Sequence, residues 1–280
     1  MNNSTQESKQ IPLTEVLVKT TYFTQSTHPS DTECSRPMYF GCGFMIRYKD
    51  ETFFVTADHN LHPEDYDNET KVMKRTWVDY TISIFNNVKP VEQPLSTVIT
   101  PLGGFFYMEK YDIMKPKDLP ELMDVCVCMM KPINFTYPFL TDEVVFSEHT
   151  INVGEQKFCF IEDMMEEPRE NMMYFVFGKI NAETKGIRIH SENTLKENLR
   201  YICKSGDFYL LETPDIVVYE EWAGLSGSPV ISEEGNCIGV LCSVLPEKKI
   251  ICVMSIEKVK MLLDLAILEN GKYKDIGNES

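Results

Sequence analysis

Trp222-Ala223-Gly224-Leu225-Ser226-Gly227-Ser228-Pro229-Val230 sets a serine between two glycines and then runs into an apolar strand. A nucleophilic serine needs its hydroxyl exposed on a tight turn, and small neighbours let backbone N–H groups approach a substrate carbonyl. On this reading the N–H groups of Gly224 and Ser226 are the oxyanion donors, each typically worth about 2.7–4 kcal/mol of barrier lowering. Alone, the segment also reads as an ordinary β-turn, because Gly, Ser and Pro are the commonest turn residues. It is not a Gly-x-Ser-x-Gly elbow, since Ser228 stands two places after Ser226, and that removes the signature of the α/β-hydrolases.

A catalytic serine needs a base within hydrogen-bond reach, and the chain holds five histidines: His28, His59, His62, His149 and His190. His59 follows Thr52-Phe53-Phe54-Val55-Thr56-Ala57-Asp58, where an apolar strand breaks into a polar turn and a side chain can project into a cleft. His62 is its near neighbour and competitor. The orienting acid must be held by rigid structure, so an aspartate at the mouth of a buried strand is the expected place. Asp124 opens Val125-Cys126-Val127-Cys128-Met129-Met130 and is preferred over Asp112, whose strand is interrupted by Lys115-Pro116-Lys117.

Outward from these points, short alternating or β-branched and aromatic segments recur between turn-rich clusters. They include Glu15–Phe23, Met38–Tyr48, Thr52–Thr56, Trp77–Phe85, Val125–Met130, Met173–Gly178 and Tyr209–Leu211. The pattern predicts an all-β, antiparallel protein with barrel or sandwich packing. A helix is expected at about 255–269, where Ile256, Val259, Leu262, Leu263, Ala266 and Ile267 recur at helical spacing behind Ser255 as a possible N-cap. Phe139–Asn152 is the candidate connection between halves, and Asn181–Glu197 reads as an extended loop or long hairpin.

Taken together, these segments resemble the chymotrypsin-like (trypsin-like) serine peptidases, especially bacterial members without disulfides. The order His, Asp, Ser is that family's order. Gly41-Cys42-Gly43-Phe44 and Phe54-Val55-Thr56-Ala57-Asp58-His59 resemble its Gly-x-Gly-Phe strand and Thr-Ala-x-His segment. Asp124-Val125-Cys126-Val127 resembles its aspartate strand, and Gly235-Asn236-Cys237-Ile238-Gly239-Val240 its later turn and strand. The resemblance implies a double β-barrel with a C-terminal helix: an N-terminal barrel over 1–140 with His59 and Asp124, and a C-terminal barrel over 141–280 with Ser226. It implies acyl transfer on a protein or peptide substrate, with no cofactor. Leu225 stands where secreted relatives carry an aspartate that pairs with a newly cut N-terminus, so activation by trimming is not expected. By the same resemblance Glu220, Val244 and Cys252 fall near the substrate pocket, and either Cys242 or Ser243 supports the aspartate. Glu220 favours basic side chains and the other two favour small ones, so specificity stays open. A catalytically silent scaffold, or a peptidase activated by a partner, is the alternative.

Composition narrows the remaining classes. With 27 Lys+Arg against 43 Asp+Glu the formal charge is −16, which repels phosphate backbones and anionic membrane surfaces, so no nucleic acid and no membrane partner is expected. The start of the chain lacks a basic, then apolar, secretory leader, and no run of 18 apolar residues occurs. Nine cysteines cannot all pair within one chain. Several lie in apolar runs as small hydrophobes, which points to reduced thiols and a cytoplasmic location. Cys126-x-Cys128 is the one pair with metal-like spacing, and without a further ligand nearby in sequence no metal is expected.

Overall fold

The computed structural model describes residues 11–65, 76, 78–88, 96–110, 114, 121–130, 139–186 and 188–277. Asp112, the competing aspartate, lies outside them. In chain order the elements are α1 (Leu13–Thr20), β1 (Thr21–Thr27), β2 (Tyr39–Tyr48), β3 (Glu51–Thr56), α2 (Asp58–Leu61), β4 (Thr81–Val88), β5 (Ser96–Pro101), β6 (Phe105–Lys110) and β7 (Glu121–Met129). There follow β8 (Val144–Val145), β9 (Thr150–Ile151), β10 (Phe160–Ile161), β11 (Met173–Lys185), β12 (Arg188–Ser205), β13 (Phe208–Glu212), β14 (Pro229–Ser232), β15 (Cys237–Leu245), β16 (Ile250–Ser255) and α3 (Ile256–Gly277).

The chain is all-β with a C-terminal helix, as the sequence predicts. Strands β11-β12-β13-β16-β15-β14 form a closed antiparallel barrel, sealed where Tyr174 and Phe175 of β11 pair with Ser232 and Ile231 of β14. The first half forms an antiparallel path β5-β4-β1-β2-β3-β7-β6, to which β10 adds a parallel pairing against β2. Among the described residues no ladder joins β5 to β6, so hydrogen bonds close only the second ring.

One core cluster crosses between the two sheets. Phe44, Phe53, Val55 and Val127 from the first pack with Ile231, Val240, Cys242 and Met254 from the second, and Val259, Leu262, Leu263 and Ala266 of α3 lie in the same cluster. Each such fully buried aliphatic or aromatic side chain contributes about 1.5–3 kcal/mol relative to exposure. Burying this seam fixes the two sheets against each other and therefore fixes whatever lies along their junction.

Three local expectations change. Glu15–Phe23 looks like a strand in sequence, yet Leu13–Thr20 is helical and only the residues from Thr21 onward are extended. Leu13, Leu17 and Val18 turn to the shared core at helical spacing, and the Thr20 and Thr21 hydroxyls donate back to Val16 O and Leu17 O. Ser255 does not cap α3, because its hydroxyl is buried without a partner at the end of β16. The helix also runs on to Gly277, well past Glu269. Asn181–Glu197 proves to be the outer part of the long β11–β12 hairpin.

Candidate active site

β3 ends at Thr56, and Ala57 turns the chain into the single turn of α2, so His59 emerges at the rim of the first sheet. Antiparallel pairing of Thr56 with Cys126 brings β7 alongside, and with it Asp124, which lies inside the strand rather than at its mouth because β7 already begins at Glu121. His59 Nδ1 donates to the Asp124 carboxylate, at 2.9 Å from Oδ1 and 3.0 Å from Oδ2, and the His59 backbone N–H donates to Oδ1 at 3.1 Å. The carboxylate therefore holds both the ring and the chain that carries it. With Nδ1 engaged as donor, neutral His59 presents Nε2 as an acceptor, and among the described residues Nε2 has no hydrogen-bond partner. The ring is 33% exposed. Burial works to lower the histidine pKa, but the Asp124 carboxylate, helped by Asp58, outweighs it and leaves His59 above its ordinary value. Asp124 lies below the usual carboxylate range, because the His59 contacts overcome the burial that would raise it.

His59 and His62 differ in their hydrogen bonding. His62 is fully buried, with Nδ1 2.9 Å from Asp58 Oδ2 and Nε2 3.0 Å from Asp79 Oδ1. Both nitrogens are occupied by carboxylates, so His62 has no free lone pair to offer a substrate. Of Cys242 and Ser243, Cys242 is the one in contact with Asp124. Cys242 Sγ lies 2.9 Å from Asp124 O and donates to it, while Ser243 is exposed on β15.

Ser226 lies on the turn between the 3-10 turn Tyr219–Glu221 and β14, half-buried, with glycines at φ +104° (Gly224) and +89° (Gly227). A Cβ on Gly224 would lie 2.5 Å from Lys179 O, and one on Gly227 2.0 Å from Cys42 O, so neither position admits a side chain. Around the turn the N–H groups of Trp222, Ala223, Leu225, Gly227 and Ser228 donate to Tyr219 O, Tyr219 O, Trp222 O, Leu241 O and Leu225 O. Among the described residues the N–H groups of Gly224 and Ser226 have no hydrogen-bond partner. These are the two groups expected to face an oxyanion. Ser226 Oγ makes no hydrogen bond to His59 in this structure.

The pocket expectations are less coherent. Glu220 is exposed on its 3-10 turn, Val244 packs half-buried against the cluster holding Trp222 and Leu225, and Cys252 sits half-buried opposite Ser243. A polar cavity of about 520 Å³, lined by Asp142, Lys179, His190 and Glu192 among others, follows the β11–β12 hairpin and touches none of the three. Cys126 and Cys128 are buried in the first sheet, and among the described residues no three His, Cys, Asp or Glu side chains are grouped to hold a metal ion. All nine cysteines are free thiols, and no described helix is long and apolar enough to cross a membrane.

No protein-family model matches the chain, and no curated protein matches it by sequence. Its fold is similar to solved structures of serine proteases. A serine endoprotease from Yersinia pestis matches at 10% identity over 93% of this chain and 68% of that one, with a TM-score of 0.45. Mouse neuropsin, a serine protease, matches at 10% identity over 92% and 97%, with a TM-score of 0.48. A protease of M. tuberculosis in its active form matches at 15% identity over 90% and 83%, with a TM-score of 0.45.

Three residues around the site were not singled out as functional from sequence: Cys42, Thr56 and Asn60. Cys42 N–H donates to Ser226 O at 2.8 Å, and Asn60 Nδ2 donates to the same oxygen at 3.1 Å. The placement of a cysteine between Gly41 and Gly43 was the available signal, since glycines flanking one residue mark a close backbone approach.

Proposed function

We propose that the chain is a serine endopeptidase that hydrolyses peptide bonds by acyl transfer. Ser226 Oγ attacks the carbonyl, His59 Nε2 takes the serine proton and later gives it to the leaving amine, and Asp124 stabilises the imidazolium. The N–H groups of Gly224 and Ser226 receive the developing oxyanion. Water then releases the acyl group by the same proton transfers in reverse, with no cofactor required. The observation that carries the reading is an aspartate-held histidine with no partner on Nε2 among the described residues, together with a serine turn over 222–228 in which Gly224 and Ser226 are the residues whose N–H groups have none there.

The missing Ser226–His59 hydrogen bond favours a second reading in which the serine rotates into place only when substrate or a partner engages the site. Catalytic hydrogen bonds are often long before substrate binds. Peptide-library cleavage by the purified protein tests the primary reading. Cleavage is expected for wild type and should fall roughly 10⁴–10⁶-fold in Ser226→Ala. Near-normal cleavage by Ser226→Ala would remove the assignment, and cleavage that appears only with an added partner would favour the second reading.

A further inference from the structure

The two turn residues whose N–H groups have no partner among the described residues are also the two whose carbonyls are held from β2 and α2. Gly224 O accepts from Cys42 Sγ at 3.3 Å. Ser226 O accepts from Cys42 N at 2.8 Å and from Asn60 Nδ2 at 3.1 Å. The donors are themselves fixed. The second Asn60 Nδ2 hydrogen goes to Thr56 Oγ1 at 2.9 Å, so both amide hydrogens are used, and Thr56 Oγ1 donates to Cys42 O at 2.6 Å. Ser26 Oγ donates to Asn60 O at 2.6 Å. Gly178 leaves room for the thiol, since a Cβ there would lie 2.8 Å from Cys42 Sγ. Gly41 leaves room for the Asn60 amide, at 2.6 Å from both Nδ2 and Oδ1.

From this we infer that Cys42 and Asn60 are positioning residues that set the orientation of the Gly224 and Ser226 peptide groups and tie the nucleophile turn to the helix carrying His59. The inference rests on the peptidase reading. A carbonyl fixed on one side of a residue restricts rotation of the neighbouring peptide planes, and Asn60 directly follows His59, so one side chain spans base and nucleophile. Burial pushes the Cys42 thiol above its ordinary pKa, so it stays protonated and able to donate. The chemistry needs only the thiol proton. Cysteine nucleophilicity plays no part, and a serine hydroxyl at this position can substitute for it.

The test compares wild type, Cys42→Ala, Cys42→Ser and Asn60→Ala in peptide turnover, melting temperature and amide exchange over 222–228. Removing one neutral hydrogen bond corresponds to about 2- to 10-fold in rate. Cys42→Ala and Asn60→Ala should each lose that much in kcat with KM unchanged, with faster exchange in the turn. Cys42→Ser should recover most of both. Equal losses in Cys42→Ala and Cys42→Ser, or a lowered melting temperature with unchanged kcat and exchange, would overturn the positioning role and leave a packing role. A wild type that neither cleaves peptides nor reacts at Ser226 would overturn the peptidase reading and this inference with it.

Discussion

The base and the nucleophile of the candidate site are organised by different means. His59 is fixed by a charged side chain, the Asp124 carboxylate, which accepts from both its ring and its backbone N–H. Ser226 is fixed through its backbone. Its carbonyl accepts from Cys42 of β2 and from Asn60 of α2, while its hydroxyl makes no bond to His59. One half of the site is preorganised in its reacting atoms, and the other in the scaffold around them. A charged hydrogen bond tolerates little change in chemistry, whereas a backbone anchor tolerates little change in shape, so substitutions in the two regions should fail differently.

After the loss of Ser226 itself, the largest chemical effect is expected at the acid. Asp124→Asn keeps the size but loses the charge and lets Nδ1 be the unprotonated nitrogen, so kcat should fall by about 10⁴-fold with a modest change in melting temperature. Steady-state kinetics beside a thermal melt would show it. Gly227→Ala should do the opposite and damage folding first. Its φ of +89° and the 2.0 Å approach to Cys42 O leave no room for a methyl group, and a left-handed strain alone costs about 1–3 kcal/mol. Chemical denaturation should give a loss at or above that range. A neutral result would mean that the turn is not held against β2.

The pH profile sharpens the base side. His59 must be neutral to accept a proton, and its pKa lies above the ordinary 6.5 because the Asp124 carboxylate outweighs burial. Activity should therefore fall on the acid side with a midpoint above 6.5, and the residual activity of Asp124→Asn should show that limb moved to lower pH. An unmoved limb would assign the titration to another group. The effect furthest from the reacting atoms is one on stability, at buried Lys157, whose pKa burial lowers to about 7 and whose charge is felt by Cys42. In the unfolded chain this amine binds its proton up to 10.5, so the folded state gains stability as pH rises from about 7 to 10.5. Lys157→Met should be the more stable protein at neutral pH, with its advantage shrinking by at most about 1.4 kcal/mol per pH unit over that window. Melting curves across that range would measure the slope.

Much of this comparison was legible in sequence, and the remainder has physical reasons. Strands such as Thr52–Thr56 and Val125–Met130 announce themselves by apolar and β-branched runs, and α3 by the spacing of Val259, Leu262, Leu263 and Ala266, because burial writes a period into the chain. His59 and Asp124 were legible because each sits at the end of such a run. Leu13–Thr20 was misread because a short apolar stretch fits both periods until its packing partner is known. Asn60 and Cys42 were missed because their significance lies in atoms 166 and 182 residues away, which no local pattern encodes. The exposure of Glu220 likewise depends on how its 3-10 turn docks.

The most direct test is covalent labelling with a fluorophosphonate, followed by mass mapping of the adduct in wild type and His59→Ala. An aspartate-held base beside a serine turn predicts one adduct per chain, on Ser226, and its loss in His59→Ala at equal time and dose. No adduct on folded wild type, or an adduct elsewhere that persists without His59, would contradict it.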